Sequence, residues 1–238
     1  MSEHEEWVAI LRGGESSAAL IDPQSAALIV VDMQRYFTQP SFPFTDVFDK
    51  LSPGVTTGYL NRVQESVIPN IQVLLRRFRD LNAPVFFTAV GTKNGMGDDL
   101  SPWLRSFDAL GVATIGTRIF PPVDDPSWEI DKALEPRPDE QVLNKLTAGT
   151  FASTDLDQRL RDRNVQSVVV VGVATDVCVS TTAREAADRG FKVVTVSDAC
   201  TTLSDQLHGA NLDTLRVFGS VRTTSEVVKA LRESSRDG

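Results

Sequence analysis

Short apolar runs rich in β-branched and aromatic residues set the strongest constraint on the fold of this chain. The four clearest occupy residues 26–32, 84–90, 168–173 and 192–196. None alternates regularly between apolar and polar residues, and this is typical of strands that are buried on both faces. Shorter runs at 142–145 and 220–223 are candidates for a further strand and for an edge strand.

Helical periodicity falls between these runs. Apolar residues keep a spacing of three or four from Val63 to Leu81, and Pro69 predicts a kink in that helix. A second helix is predicted from about Val177 to Arg189, with Glu185 on its exposed side one turn before Arg189. Other helix ends are marked by Thr154 or Ser153 as a cap, by Gly190 as a stop, and by Thr223 with Glu226 as a capping box.

This alternation of strands and helices predicts an α/β fold with a mostly parallel sheet covered on both faces. We expect one three-layer α/β/α sandwich domain over residues 26–238, preceded by a polar N-terminal arm over residues 1–25. Residues 36–55 and 91–130 interrupt the alternation, and we predict that both are long loops that determine specificity. The aromatic residues of the first predict an ordered flap.

Composition narrows the range of partners. A net charge of −8 opposes binding to a phosphate backbone, so we expect no nucleic acid partner. No apolar run is long enough to cross a membrane, and the acidic N-terminus does not resemble a signal peptide, so we expect a cytoplasmic protein. The two cysteines are then expected to be free thiols. Because the chain has only two histidines, we expect no metal and no other cofactor.

Two candidate functional residues follow neighbouring buried strands. Ligands of open parallel sheets bind at the carboxyl ends of the strands, where Asp32 ends the first run and Cys178 follows the run at 168–173. Cys178 stands in the first turn of a predicted helix, where backbone N–H groups and the helix dipole are expected to lower a thiol pKa. From position alone, a solvated or capping carboxylate is the favoured interpretation of Asp32, and Cys178 can equally be a small buried hydrophobe.

Three other polar residues have simpler interpretations. Lys145 ends a short apolar run, although a lysine considered alone is usually a solvated surface residue. His208 is predicted to form a structural hydrogen bond. Cys200 follows a strand with no helix signal behind it, which favours a place in the core or in a loop.

In chain order these residues resemble the isochorismatase-like cysteine hydrolases, a superfamily that includes nicotinamidases, N-carbamoylsarcosine amidase, ureidoacrylate and biuret hydrolases, and isochorismatases. The resemblance covers residues 26–210. The stretch Asp32-Met33-Gln34-Arg35-Tyr36-Phe37 is similar to the superfamily's Asp-x-Gln-x-x-Phe, and Lys145 with Phe151 and Thr154 resembles its lysine block. The most specific part is Gly172-Val173-Ala174-Thr175-Asp176-Val177-Cys178.

The resemblance implies a catalytic triad of Asp32, Lys145 and Cys178. Cys178 would attack a carbonyl carbon, Asp32 would act as base and then as acid, and Lys145 would stabilise charge. A cis peptide bond is implied between Val173 and Ala174, together with an oxyanion hole formed by the backbone N–H groups of Ala174 and Cys178. Phe37 and Thr175 are the expected substrate contacts.

Departures from the superfamily narrow the expected reaction. No histidine lies between His4 and His208, so the metal site of nicotinamidases is absent. Isochorismatases do not need the cysteine, and Cys178 therefore favours cleavage of a C–N bond. Residues 178–191 look most like the ureido and biuret hydrolase branch. We predict an amidohydrolase that releases ammonia from a small amide, carbamoyl or ureido compound.

Two alternatives stay open at this point. One is an isochorismatase-type hydrolase of a vinyl ether, and the other is an inactive relative that acts as a binding or scaffold protein. The resemblance also implies a homo-oligomer, either a dimer or a tetramer. A small-molecule substrate is the partner that the sequence favours.

Overall fold

A computed structural model describes residues 6–7 and 21–234, the side chains of residues 232–234 excepted. All six predicted strands are present: β1 (Ala26–Val31), β2 (Val85–Val90), β3 (Gln141–Lys145), β4 (Ser167–Val173), β5 (Lys192–Thr201) and β6 (Ser220–Arg222). They form a single parallel sheet in the order β3-β2-β1-β4-β5-β6, with β6 at one edge. The strand order reverses between β1 and β4, and doubly wound sheets bind ligands at such a point.

Nine α-helices lie in the described part of the chain: α1 (Arg35–Thr38), α2 (Pro43–Leu51), α3 (Val55–Arg62), α4 (Ile68–Asp80), α5 (Pro102–Ile115), α6 (Leu156–Asp162), α7 (Ser180–Asp188), α8 (Asp205–Leu215) and α9 (Thr224–Ser234). Thr223 and Glu226 form the predicted capping box of α9, since Thr223 N donates to Glu226 Oε2 over 2.7 Å. None of these helices combines the length and the hydropathy that crossing a membrane requires.

The sheet is buried on both faces, as its composition predicts. Leu28 and Val30 of β1 belong to one apolar core, whereas Ile29 and Val31 belong to the other. Helices α4 and α9 contribute to the first core, and α6 and α7 contribute to the second. The domain is therefore the predicted three-layer α/β/α sandwich.

The two stretches predicted as loops each contain α-helices. Residues 36–55 contain α2 and most of α1, and residues 91–130 contain the fourteen residues of α5. Pro102 occupies the first turn of α5, where a missing N–H costs nothing, and Gly116 ends the helix in a left-handed conformation. Some of the prolines and glycines that indicated loops, such as Pro43, Pro102 and Gly116, thus mark helix ends. The prediction of an ordered flap at residues 36–55 is confirmed, because Tyr36 and Phe44 are buried.

The predicted break near Pro69 takes the form of a π-helical segment. Residues Val63–Val67 adopt this wider turn between α3 and α4, and Ile68 N donates to Val63 O. Pro69 lacks an N–H and cannot continue the hydrogen-bond ladder of an α-helix that began earlier in the chain.

The predicted N-terminal arm falls mostly outside the described residues, at 1–5 and 8–20. At its end Ile21 is buried in the core on the α4 side. The carbonyl of Ser25 accepts hydrogen bonds from the N–H groups of Gln166 and Ser167, at 2.7 and 3.0 Å. The last residues before β1 are thus packed against the domain.

Candidate active site

The structure brings the three predicted catalytic side chains together at the carboxyl ends of the strands. Asp32 is the first residue after β1, and Lys145 is the last residue of β3. Cys178 lies in a π-helical turn, Thr175–Val179, that joins β4 to α7. Asp32 and Cys178 therefore flank the point at which the strand order reverses.

Asp32 is held rigidly at the end of β1. Its backbone has a φ of 51°, in the left-handed region that a non-glycine residue rarely adopts, and its side chain is fully buried. Thr88 Oγ1 donates to Asp32 Oδ1 over 2.7 Å, and Asp32 N donates to Thr88 O over 3.1 Å. The other carboxylate oxygen, Oδ2, lies 2.9 Å from Lys145 Nζ but accepts no well-aligned hydrogen bond from any described residue. Oδ2 therefore keeps a lone pair that can take a proton.

The ammonium of Lys145 is buried, contrary to the usual place of a lysine at the surface. Besides its ion pair with Asp32, Nζ donates to the carbonyls of Thr147 and Ala148, each over 2.9 Å, and to Cys178 Sγ over 3.4 Å. Burial alone lowers the pKa of Lys145, but the neighbouring Asp32 and Cys178 outweigh it and leave that pKa above its ordinary value. Lys145 is therefore a fixed positive charge beside the thiol.

The pKa of Cys178 moves in the direction opposite to the sequence prediction. Burial raises the pKa of this thiol to about 12, Lys145 lowers it, and Asp32 adds to the rise. Helix-terminus stabilisation of a thiolate was the expected effect, but removal of the sulfur from water outweighs it. The resting site consequently holds a thiol, a carboxylate and an ammonium, and the thiol needs a base before it can act as a nucleophile.

The predicted cis peptide bond between Val173 and Ala174 is present. Ala174 lines the cavity described below, and its carbonyl accepts the N–H groups of Val177 and Val179, each over 3.1 Å. Just before it, Gly172 has a φ of 115°, and a Cβ there would lie 2.0 Å from Val31 O. Glycine is therefore required where β4 approaches β1, immediately before the turn that carries Cys178.

A cavity of about 300 Å³ opens above Cys178 and has mainly apolar walls. Seven aromatic residues line it: Phe37, Phe44, Phe48, Tyr59, Trp103, Phe107 and Phe120. They come from α1, α2, α3 and α5 and the segment after α5, so the helices within the two stretches predicted as loops supply five of the seven. A cavity of this size and character suits a small molecule with an apolar body.

Of the two predicted substrate contacts, the structure places Phe37 in the cavity wall and Thr175 behind it. Thr175 is fully buried, and its Oγ1 lies 2.9 Å from His208 Nδ1. This contact agrees with the structural hydrogen bond predicted for His208. Cys200 lies within β5 and is buried in the second core. Of the two places predicted for it, the core or a loop, the core is the one observed.

Two residues support the site through contacts that the sequence did not predict, although Gln34 belongs to a quoted motif. Gln34 joins the ends of β1 and β2, because its Oε1 accepts Val90 N over 2.7 Å and its Nε2 donates to Val90 O over 3.1 Å. Thr88 positions the Asp32 carboxylate. The only signal for Thr88 is a hydroxyl in an otherwise apolar strand, and the spacing of 56 residues to Asp32 conceals the contact.

Glu185 of α7 is a partly buried support and not the exposed partner of Arg189 that its spacing suggested. Its Oε2 accepts Phe151 N over 2.9 Å, and a Cβ on Gly149 would come within 2.3 Å of the same oxygen. Arg189 instead donates to the Glu185 carbonyl. The carboxylate thereby holds the loop whose carbonyls, at residues 147 and 148, bind Lys145.

Replacing Glu185 with alanine is therefore expected to weaken both stability and the site. Loss of a hydrogen bond to a charged group costs about 1.5–3 kcal/mol of unfolding free energy. Glu185→Gln keeps an acceptor oxygen for Phe151 N and should recover at least half of that loss. Urea denaturation of both variants checks this, and equal stability of Glu185→Ala and the native chain would contradict it.

Because Cys178 and Cys200 are both buried thiols, we expect the protein to lose stability at alkaline pH. Burial raises the pKa of Cys178 and of Cys200 from 9.0 to about 12. Between these values the unfolded chain releases a proton that the folded chain keeps, so the free energy of unfolding falls as pH rises. Each thiol contributes a slope of about 1.4 kcal/mol per pH unit.

Chemical denaturation at several pH values above 9.0 measures that slope. Cys200→Ala lies outside the cavity and should reduce the slope by about 1.4 kcal/mol per pH unit. An unchanged slope in this variant would show that the Cys200 thiol ionises normally in the folded chain.

The fold and the site together define a class of protein. A parallel α/β sandwich that sets a cysteine, a lysine and an aspartate beneath a small apolar cavity is a hydrolase-like architecture built around a cysteine. Residues 26–226 match the family model described as the isochorismatase domain. The chain belongs to the isochorismatase family and is one of its cysteine hydrolases.

Curated relatives and solved structures agree with this assignment. The chain is 32% identical to nicotinamidase 3 of Arabidopsis thaliana, over 83% of this chain and 84% of that protein. It is 29% identical to N-carbamoylsarcosine amidase of an Arthrobacter species, over 86% of this chain and 70% of that protein. A cysteine hydrolase structure from Pseudomonas syringae pv. phaseolicola 1448A superposes with a TM-score of 0.74 at 28% identity, covering 90% of this chain and 95% of that one.

Proposed function

We propose that this protein is an amidohydrolase that cleaves a C–N bond in a small amide, carbamoyl or ureido compound through an acyl intermediate on Cys178. The observation that carries this proposal is the contact of Cys178 Sγ with Lys145 Nζ at 3.4 Å, while the same ammonium pairs with Asp32 Oδ2 at 2.9 Å. A thiol, a base and a fixed positive charge thus meet in one buried cluster below the cavity.

The first half of the reaction forms the acyl intermediate. Asp32 Oδ2 accepts the proton of the Cys178 thiol as sulfur attacks the carbonyl carbon, and Lys145 offsets the negative charge that develops. The N–H groups of Ala174 and Cys178 are the proposed donors to the oxyanion. When the tetrahedral intermediate collapses, the C–N bond breaks and the protonated Asp32 gives its proton to the departing nitrogen.

The second half releases the acid. Asp32, now ionised again, takes a proton from a water molecule as its oxygen attacks the thioester carbon. The C–S bond then breaks, the proton returns to Cys178, and the carboxylic or carbamic acid leaves. One water is consumed for each ammonia or amine released, and the site returns to its resting protonation state.

Two of the relatives support a C–N substrate by name, one as a nicotinamidase and the other as an N-carbamoylsarcosine amidase. Burial raises the pKa of Cys178, and this supports a thiol that Asp32 deprotonates only during attack. Both observations favour acyl transfer from nitrogen to sulfur over reactions in which no nucleophile is needed.

Ammonia release from a panel of compounds tests the proposal. The panel includes primary aromatic amides, nicotinamide, N-carbamoyl amino acids, ureidoacrylate and biuret, with isochorismate as the vinyl ether control. We expect ammonia from at least one amide or carbamoyl compound and none from it with Cys178→Ala. Turnover of isochorismate alone, retained in Cys178→Ser, would overturn the proposal in favour of vinyl ether hydrolysis.

A further inference from the structure

Two polar groups in the otherwise apolar cavity have no partner among the described residues. Asp176 and Tyr59 both line the cavity. Asp176 Oδ1 and the Tyr59 hydroxyl are buried atoms that make no hydrogen bond to any described residue. Buried polar atoms in folded proteins are almost always paired, and an unpaired one indicates that something else completes it.

Asp176 is the more informative of the two because it is acceptor-only and charged. It lies two residues before Cys178 in the same π-helical turn, and both residues line the cavity. A ligand in the cavity therefore lies close to both. No ion pair within the described part of the chain includes it. A carboxylate oxygen without a partner in apolar surroundings favours a ligand that brings an N–H donor, above all a charged one.

Arg62, at the end of α3, is the arginine that acts electrostatically on the cavity residue Tyr59, and its guanidinium is engaged with other groups. Arg62 donates to Thr201 Oγ1 over 3.0 Å and to Thr202 O over 2.7 Å, and it forms an ion pair with Asp205 at 3.1 Å. These contacts fix its guanidinium between the end of β5 and the start of α8. The charge of Asp176 is therefore left for the ligand to balance.

The aromatic walls favour the same kind of ligand. The faces of phenylalanine, tyrosine and tryptophan rings attract cations, and they also pack well against a flat apolar body. The Tyr59 hydroxyl adds a neutral group that can donate or accept one hydrogen bond. The cavity thus places a carboxylate oxygen without a described partner beside the aromatic rings of its wall.

We propose that the substrate carries, in addition to the amide or carbamoyl group that Cys178 attacks, a protonated nitrogen that pairs with Asp176. This inference rests on the proposed hydrolysis and narrows its substrate class to cationic amides with an apolar body. Small uncharged compounds such as biuret would leave Asp176 unpaired and the aromatic wall without contacts.

Three amides of similar shape test the subsite. para-(Aminomethyl)benzamide is a cation at neutral pH, para-ethylbenzamide is its neutral counterpart, and para-carboxybenzamide is an anion. Calorimetry on Cys178→Ala measures binding of each without turnover, and ammonia release by the native enzyme measures kcat/KM. We expect the cation to bind about tenfold or more tightly than the neutral amide, and the anion to bind most weakly.

Asp176→Asn, made in the native and in the Cys178→Ala chain, separates the role of the charge from that of shape. It should bring the cation-to-neutral ratio close to one while leaving binding of the neutral amide nearly unchanged. Asp188→Asn removes a carboxylate from the exposed end of α7 and serves as the matched control, with an unchanged ratio.

The outcomes distinguish the two proposals. Equal or weaker binding of the cation, no binding of it, or a ratio that survives Asp176→Asn would overturn the cation subsite, even if ammonia is released. A tenfold preference lost in Asp176→Asn, without ammonia from any amide, would support the subsite and count against the proposed hydrolysis alone.

Discussion

Lys145→Met is expected to destabilise the protein by about 3–5 kcal/mol, because it leaves the Asp32 carboxylate buried without its cation. Both side chains are fully buried, and Nζ also satisfies the carbonyls of Thr147 and Ala148. Asp32→Asn should destabilise the chain by the same mechanism, since it leaves the Lys145 ammonium buried without its anion. Urea denaturation at neutral pH measures both effects.

The double variant Asp32→Asn/Lys145→Met separates the ion pair from the loss of packing. Neutral side chains of similar size remove both buried charges at once, so we expect it to be more stable than either single variant. It should nevertheless have no activity. A double variant no more stable than Lys145→Met would contradict the view that the unpaired charge causes the loss.

The second large effect is expected on the rate of hydrolysis. Cys178→Ala removes the proposed nucleophile and should abolish turnover of any substrate found in the panel. Asp32→Asn cannot accept the thiol proton and should lower kcat by about 10²–10⁴-fold. Steady-state ammonia release measures both variants, with circular dichroism to show that each is folded.

Cys200→Ala is the matched control for these rate measurements. Cys200 is also buried, and burial also raises the pKa of its thiol to about 12, but it does not line the cavity. Its removal should leave kcat within about twofold of the native value, since its thiol lies outside the cavity and donates to Val170 O. A comparable loss in Cys200→Ala would indicate that the effect of Cys178→Ala is structural.

The strands were predictable because parallel strands covered on both faces must be apolar throughout. The two edge strands, β3 and β6, are shorter and more polar, and the sequence indicated them only as candidates. The helices in residues 36–55 and 91–130 were not predicted. They are bounded by prolines and glycines, and their aromatic residues face a cavity whose existence depends on tertiary contacts.

The site was predictable in its members but not in its electrostatics. The order of Asp32, Lys145 and Cys178 along the chain matches the family motifs, whereas spacing alone places Lys145 at the surface. The predicted direction of the Cys178 pKa shift was wrong, because a helix terminus can be recognised in the sequence and the extent of burial cannot. The supports from Thr88 and Glu185 arise from contacts across 56 and 34 residues and give no local signal.

The unpartnered oxygen of Asp176 is another feature of the site that the sequence did not predict. Its position two residues before Cys178 is visible in the sequence, but its lack of a partner and the aromatic surroundings appear only in three dimensions. Six of the seven aromatic residues that line the cavity come from helices α1, α2, α3 and α5.

The proposal that Cys178 forms an acyl intermediate is tested most directly by trapping it. The enzyme is mixed with an amide substrate, quenched in acid within the first turnovers, and digested for mass spectrometry. We expect the peptide that contains Cys178 to gain the mass of the acyl group, with no gain at Cys200 and a slower gain in Asp32→Asn. Full turnover by Cys178→Ala, or hydrolysis in which Cys178 never carries the acyl group, would contradict this account.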